Sequence, residues 1–155
     1  MEDQKAGERR QDSRLVALFA EHTDGLVLAG ELCEATDETA PEVAAKFLEY
    51  WDLRGRAHLR LEEEILLPAY AASADAYHPL IARVLCDHLV IRSAAAQLVD
   101  SPSVTSARAL GTCLSEHVLL EERELFPLIE RSLSVSALDD VVNELEGAER
   151  LLARD

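Results

Sequence analysis

The chain has 155 residues, enough for one domain with a single core, and its 48% hydrophobic against 29% charged content is too apolar for disorder. The 30 acidic against 15 basic residues give a formal net charge of -15, which disfavours nucleic acid and anionic membrane surfaces because phosphate contacts need a positive field. No stretch approaches the roughly 20 apolar residues of a bilayer crossing, residues 1–14 hold no apolar leader core, and Cys33, Cys86 and Cys113 form no C-x-x-C pair, so a cytoplasmic protein with reduced thiols is expected.

Alanine, leucine and glutamate dominate, and apolar residues recur at three- and four-residue intervals, which predicts an all-α fold. Residues 1–12 are polar and aperiodic and read as a flexible tail ahead of a single domain over 13–155. A first helix is expected over 13–33, starting at Ser13. After a loop at 36–40, Pro41 sits where a first-turn proline belongs and opens a second helix to about 72. Pro79 opens a third over 79–99. Pro102, behind Ser101 as its cap, opens a fourth over 102–132. Ser136 with Asp139 resembles a capping box for a shorter fifth helix, which carries Leu138, Val141, Val142, Leu145 and Leu152 on one side. Short connections between long helices predict an up-down-up-down four-helix bundle with the fifth helix as an accessory.

Two of the five histidines head matched segments, HLRLEEEILLP from His58 and HVLLEERELFP from His117, both H-x-x-x-E-E with a proline ten residues after the histidine. Glu21-His22 with Leu32 matches Asp87-His88 with Leu98 in the same way. Each half of the chain is therefore a helix with one histidine followed by a helix with a histidine and a glutamate. At about 100° per residue, a residue four positions on is displaced by only about 40°, so His58 projects with Glu62 and His117 with Glu121. Glu63 and Glu122 point elsewhere by the same count, which predicts that they are dispensable for any ligand held at this face. Apolar neighbours identify that face as the inner one: Ile65 and Ala69 share the His58 stripe, Leu110 and Leu128 that of His117, Leu15, Leu18 and Leu26 that of His22, and Ile81 and Val84 that of His88.

Four imidazoles and two carboxylates buried without compensation would cost several kcal/mol, because a buried carboxylate must be paired, protonated or metal-bound. Two cations sharing both carboxylates, with imidazoles closing the ends, resolve that cost. A nitrogen-rich set without thiolate suits two iron ions, ahead of manganese or zinc. Without metal, Glu62 and Glu121 would repel one another and are expected to take up protons. His78, before Pro79, reads as a loop or cap residue, and Trp51 as packing.

The ordered set of His22, His58-x-x-x-Glu62, His88 and His117-x-x-x-Glu121, with its E-E-x-x-L-x-P tails, resembles the hemerythrin-like cation-binding (HHE) domain over roughly residues 15–132. The resemblance implies a non-haem diiron centre bridged by Glu62 and Glu121, with His22 and His58 on one iron and His88 and His117 on the other. The chain departs from the oxygen-carrying hemerythrins, which have a fifth histidine in an H-x-x-x-H pair on the third helix; here Val84 and Arg92 stand four residues either side of His88. Those carriers also bridge with an aspartate five residues after the last histidine, whereas this chain offers Glu121 at four or Glu122 at five, and facing favours Glu121.

One turn from this layer, the inward positions toward one end are Leu18, Ile65 or Leu66, Val84 and Leu125, a dry end. Toward the other they are Leu26, Arg54, Arg92 and Cys113, which makes Arg54, Arg92 and Cys113 candidates for a layer beside the site and for the route by which dioxygen, peroxide or an anion enters. Peroxide decomposition by a diiron oxidoreductase is the favoured function, with dioxygen or nitric oxide binding or sensing as the alternative and iron storage or structural metal binding behind both.

Overall fold

The computed structural model describes residues 14–152. The expected tail over 1–12, the start at Ser13 and the side chain of Leu152 lie outside the described residues. Among those residues the chain forms helices and no strand. Helix α1 is Val16–Cys33. Helix α2 covers 40–73 and is α-helical over Ala40–Tyr50, Arg56–Leu61 and Leu67–Ser73, with wider π turns at Trp51–Gly55 and Glu62–Leu66. Helix α3 is Pro79–Asp100; α4 covers 104–132 with a π turn at Glu121–Leu125; α5 is Val135–Leu152.

The helix starts follow local hydrogen bonding. Pro41 lies in the first turn of α2 as expected, but the helix begins at Ala40, whose N–H donates to Thr36 O at 2.8 Å. His78 caps α3, its Nδ1 accepting from Leu80 N–H at 3.2 Å. Two expected starts are corrected. Helix α4 begins at Val104, two residues after Pro102, because Ser103 and not Ser101 forms a reciprocal box with Ser106. Helix α5 begins at Val135, where Ser134 Oγ accepts from Ala137 N–H at 3.2 Å. Ser136 is then already inside the first turn, and Asp139 pairs with Arg14.

Helix α1 packs on α2 and α4, and α3 on α2 and α4, closing the bundle. Gly111 lets α4 come close to α1: a Cβ there would stand 2.6 Å from Ala29 O and 2.8 Å from Cys33 Sγ. The core is two apolar clusters with a polar layer between them. One cluster holds Leu18, Leu66, Val84 and Leu125, all fully buried, and is covered by Leu138, Val141 and Leu145 of α5. Each such side chain contributes about 1.5–3 kcal/mol on leaving water. The other holds Leu28, Phe47, Trp51, Ile91, Leu98 and Leu110.

The matched π turns have a physical cause in the matched prolines. In a straight α-helix the rings of Pro68 and Pro127 would strike the carbonyls four residues back, and neither has an N–H to donate. The turn widens instead, and the residue before each proline reaches one position further: Leu67 N–H donates to Glu62 O, and Phe126 N–H to Glu121 O. The extra residue rotates everything beyond it. Leu66, Tyr70 and Ile129 are buried, whereas Ile65, Ala69 and Leu128, the inward positions of an unbroken helix, are only partly covered. The expected stripe is therefore corrected at Ala69 and Leu128, of Ile65 or Leu66 it is Leu66 that is buried, and Leu125 is buried as expected.

Candidate metal centre

The polar layer between the two clusters consists of His22 from α1, His58 and Glu62 from α2, His88 from α3, and His117 and Glu121 from α4, all buried. These are the six residues singled out by spacing. In each H-x-x-x-E pair the four-residue step places both side chains one above the other on the inner face, with His58 Nε2 to Glu62 Oε1 at 3.2 Å and His117 Nε2 to Glu121 Oε1 at 3.3 Å. Across the bundle His22 Nε2 stands 3.2 Å from Glu121 Oε2, and His88 Nε2 3.3 Å from Glu62 Oε2. Each glutamate thus faces one histidine of its own helix and one of another.

The atoms form two overlapping groups, His22, His58, Glu62 and Glu121, and Glu62, His88, His117 and Glu121, with the donor atoms of each group within 4.8 Å of one another. Both carboxylates are common to both groups. His22 Nε2 and His58 Nε2 lie 3.0 Å apart. Two donors each about 2.1 Å from one cation lie about 3.0–3.4 Å apart for right-angle to tetrahedral arrangements, and these five spacings fall in that window. All four glutamate oxygens, with Nε2 of His88 and of His117, make no hydrogen bond of good geometry despite these approaches. Lone pairs converging on common points, without N–H groups aimed at oxygen, suit cations. The donor set fits metal ions at both positions.

The second nitrogen of three of the four imidazoles meets an acid, and that of His117 has no hydrogen-bond partner. His58 Nδ1 lies 2.6 Å from Glu21 Oε2, His88 Nδ1 2.8 Å from Glu63 Oε1, and His22 Nδ1 3.2 Å from Glu122 Oε1. Asp87 Oδ2 stands off His117 Nδ1 at 4.0 Å. A carboxylate behind Nδ1 holds its proton there and leaves the Nε2 lone pair pointing inward. The contacts of Glu21, Glu63 and Glu122 with these rings, and the place of Asp87 beside His117, are what facing arithmetic missed. Their signal was in the duplicated frame: each stands beside a candidate ligand, as E-H, D-H or the second member of E-E. Each acid serves a histidine of another helix, so two adjacent residues need not share a face to share a site. Glu63→Ala and Glu122→Ala are accordingly expected to weaken metal binding about 10–100-fold, measured by competition with a chelator of known affinity. Parent-like affinity in both would show that these contacts carry no weight.

In the metal-free protein the surroundings lower the pKa of both carboxylates, contrary to the expectation that they take up protons. Burial alone would raise the Glu62 pKa, but the His58 and His88 imidazoles beside it hold it well below the usual carboxylate range. For Glu121, burial and the Glu62 charge push up and are outweighed by His117, His22 and His88, so it too is lowered. Burial pushes the histidines down, yet the glutamates win at three of them. His58 is raised well above 6.5, His88 to about 10, and His22 is raised. At His117 burial wins, and its pKa is lowered.

Of the three residues expected beside the site, Arg92 reaches it indirectly, its Nη2 donating to both Glu63 oxygens at 3.1 Å. Arg54 is 62% exposed on Asp24, at 3.0 Å, and Cys113 is partly buried against the apolar cluster. The space beside the donors at that end is instead a cavity of about 20 Å³ walled by His22, His58 and His117 with Phe47, Tyr50 and Trp51. Gly25 leaves room for the phenol, since a Cβ there would stand 3.2 Å from Tyr50 Oη. Burial, then Glu21 and Asp24, pushes the Tyr50 pKa up to about 12, so the phenol stays a neutral donor.

A helical bundle with two overlapping buried His/Glu groups belongs to the metal-binding class. The chain is a member of the hemerythrin HHE cation-binding domain family, whose model matches residues 14–152. No curated protein and no solved structure matches it. Among the described residues no helix is long and apolar enough to cross a membrane.

Proposed function

We propose that the protein is a non-haem diiron protein in which His22 and His58 hold one ion, His88 and His117 the other, and Glu62 and Glu121 span both, and that it decomposes peroxide. The sharing of both carboxylates between two donor groups carries this reading. A redox pair there supplies and recovers the two electrons that peroxide disproportionation passes between two molecules: one peroxide takes two electrons and two protons to give two waters, and the other gives them up as dioxygen.

The chain's own residues contribute selection and shape. The cavity is large enough for a water-sized ligand and little more. Its walls are largely aromatic and apolar, which suits a small neutral molecule, and the Tyr50 side chain is among them. Only six side chains supply donors. Val84 is fully buried in the apolar cluster and Arg92 is engaged with Glu63, so neither position beside His88 adds a seventh. A sparse donor set leaves positions open to a reactant, which favours turnover over stable carriage.

The test is exposure of the anaerobically reduced, iron-loaded protein first to air and then to peroxide. Rapid oxidation without a long-lived adduct, followed by many turnovers of peroxide with dioxygen release, is expected in optical and oxygen-electrode traces. A stable, reversible dioxygen or nitric oxide adduct with no peroxide turnover would replace this reading with the binding or sensing one.

A further inference from the structure

The two donor groups mirror one another, but the charges behind them do not. Glu21, 2.6 Å from His58 Nδ1, meets no arginine among the described residues. Behind His88, Glu63 is held by Arg92 through both oxygens at 3.1 Å. Behind His117, Asp87 is held by Arg83 Nε at 2.9 and 3.0 Å and stays 4.0 Å from the ring. The duplicated frame makes the difference visible in the sequence as well. Arg83 and Arg92 stand five before and four after His88, and Ala17 and Leu26 occupy the same places around His22. Helix α5, which has no counterpart in the other half, adds Glu149 to the field of Glu21 and His58.

We propose that Arg92 and Arg83 make the ion beside His88 and His117 the more easily reduced of the two, an inference that rests on the diiron reading above. A carboxylate accepting from Nδ1–H pushes electron density through the ring to Nε2 and favours the higher oxidation state of the bound ion. A guanidinium paired with that carboxylate withdraws the effect. His58 therefore donates strongly, backed by an acid with no guanidinium on it. His88 donates less, and His117 has no acid within hydrogen-bond distance of its Nδ1. One electron from an external one-electron reductant converts one ferric ion to ferrous, with no bond made or broken. It settles beside His88 and His117. Both arginines are partly solvated, at 32% and 59% exposure, so screening keeps the effect moderate.

Spectroelectrochemical titration of the iron-loaded full chain tests this. Arg92→Leu is expected to lower the first midpoint potential and leave the second, by about tenfold in the reduction equilibrium, or about 59 mV for one electron. Arg92→Lys is expected to restore most of the shift. Glu21→Gln is expected to raise the second potential and leave the first. Potentials unmoved by Arg92→Leu, the same couple shifted by both Arg92→Leu and Glu21→Gln, or two unresolved steps in the parent would overturn the inference while leaving the diiron reading intact. A parent protein binding fewer than two irons per chain would overturn both.

Discussion

Replacing Glu62 or Glu121 by alanine is expected to empty both metal positions together. Each carboxylate presents one oxygen to each donor group: Glu62 Oε1 faces His58 at 3.2 Å and Oε2 faces His88 at 3.3 Å, and Glu121 faces His22 and His117 at 3.2 and 3.3 Å. Truncation removes a donor from both groups at once and takes away half of the anionic charge that would balance bound cations. The loss of affinity should exceed the roughly 10–100-fold attached to an outer partner. His58→Ala deprives only one group and is expected to leave the ion beside His88 and His117 in place. Metal analysis of purified variants reads the difference. Parallel loss of both ions in the glutamate variants, with partial loss in His58→Ala, is the expected pattern; full occupancy in Glu121→Ala beside an empty Glu122→Ala would reassign the shared acid.

Removing metal is expected to destabilise the fold by at least about 4 kcal/mol when the parent is measured at free metal about 1,000-fold above its dissociation constant. For a chain of this length that is a fall in melting temperature of roughly 8–16 °C. The gap should widen with pH, for reasons of sign. In the metal-free fold His22, His58 and His88 have raised pKa values, so their contribution is full below the ordinary 6.5 and is lost as pH rises, for His88 through about 10. Glu62 and Glu121 are lowered, so theirs is present above the ordinary 4.5 and is lost as pH falls through the depressed values. Metal binding runs against the protons on imidazole and strengthens as they leave. Melting of metal-loaded and metal-free protein between pH 6 and 9 checks this. A gap that is constant or shrinks with pH would mean that the imidazoles do not carry the protons in the metal-free state.

Much of the site was legible because the four-residue step of an α-helix survives packing: His58 and Glu62, and His117 and Glu121, fall before the π turns and meet as spacing requires. What lay beyond the turns was not legible by the same arithmetic. Pro68 and Pro127 widen the helix directly after each glutamate, and a constant rotation per residue then names Ala69 and Leu128 where Tyr70 and Ile129 are buried. The contacts of Glu63 and Glu122 were not legible for a different reason. Facing describes one helix, but their partners, His88 and His22, belong to neighbours, and a glutamate on the flank of one helix can reach the outer nitrogen of a ring on the next. Arg54 illustrates the freedom of a long side chain at an inward-flanking position: its guanidinium turned to solvent and Asp24, and the space beside the donor layer was left to Phe47, Tyr50 and Trp51. The helix starts differed by one or two residues because Ser103 and Ser134 compete with neighbouring serines for the same capping role.

The most direct test of two irons joined by Glu62 and Glu121 is a low-temperature Mössbauer spectrum of the oxidised, isotopically iron-loaded protein in a weak applied field. Shared carboxylates couple the two high-spin ferric ions antiferromagnetically, so the pair has no net spin. Quadrupole doublets without magnetic splitting, and no ferric paramagnetic resonance signal, are the expected result at two irons per chain. Magnetically split spectra from isolated ferric ions, or one iron per chain, would contradict a shared centre.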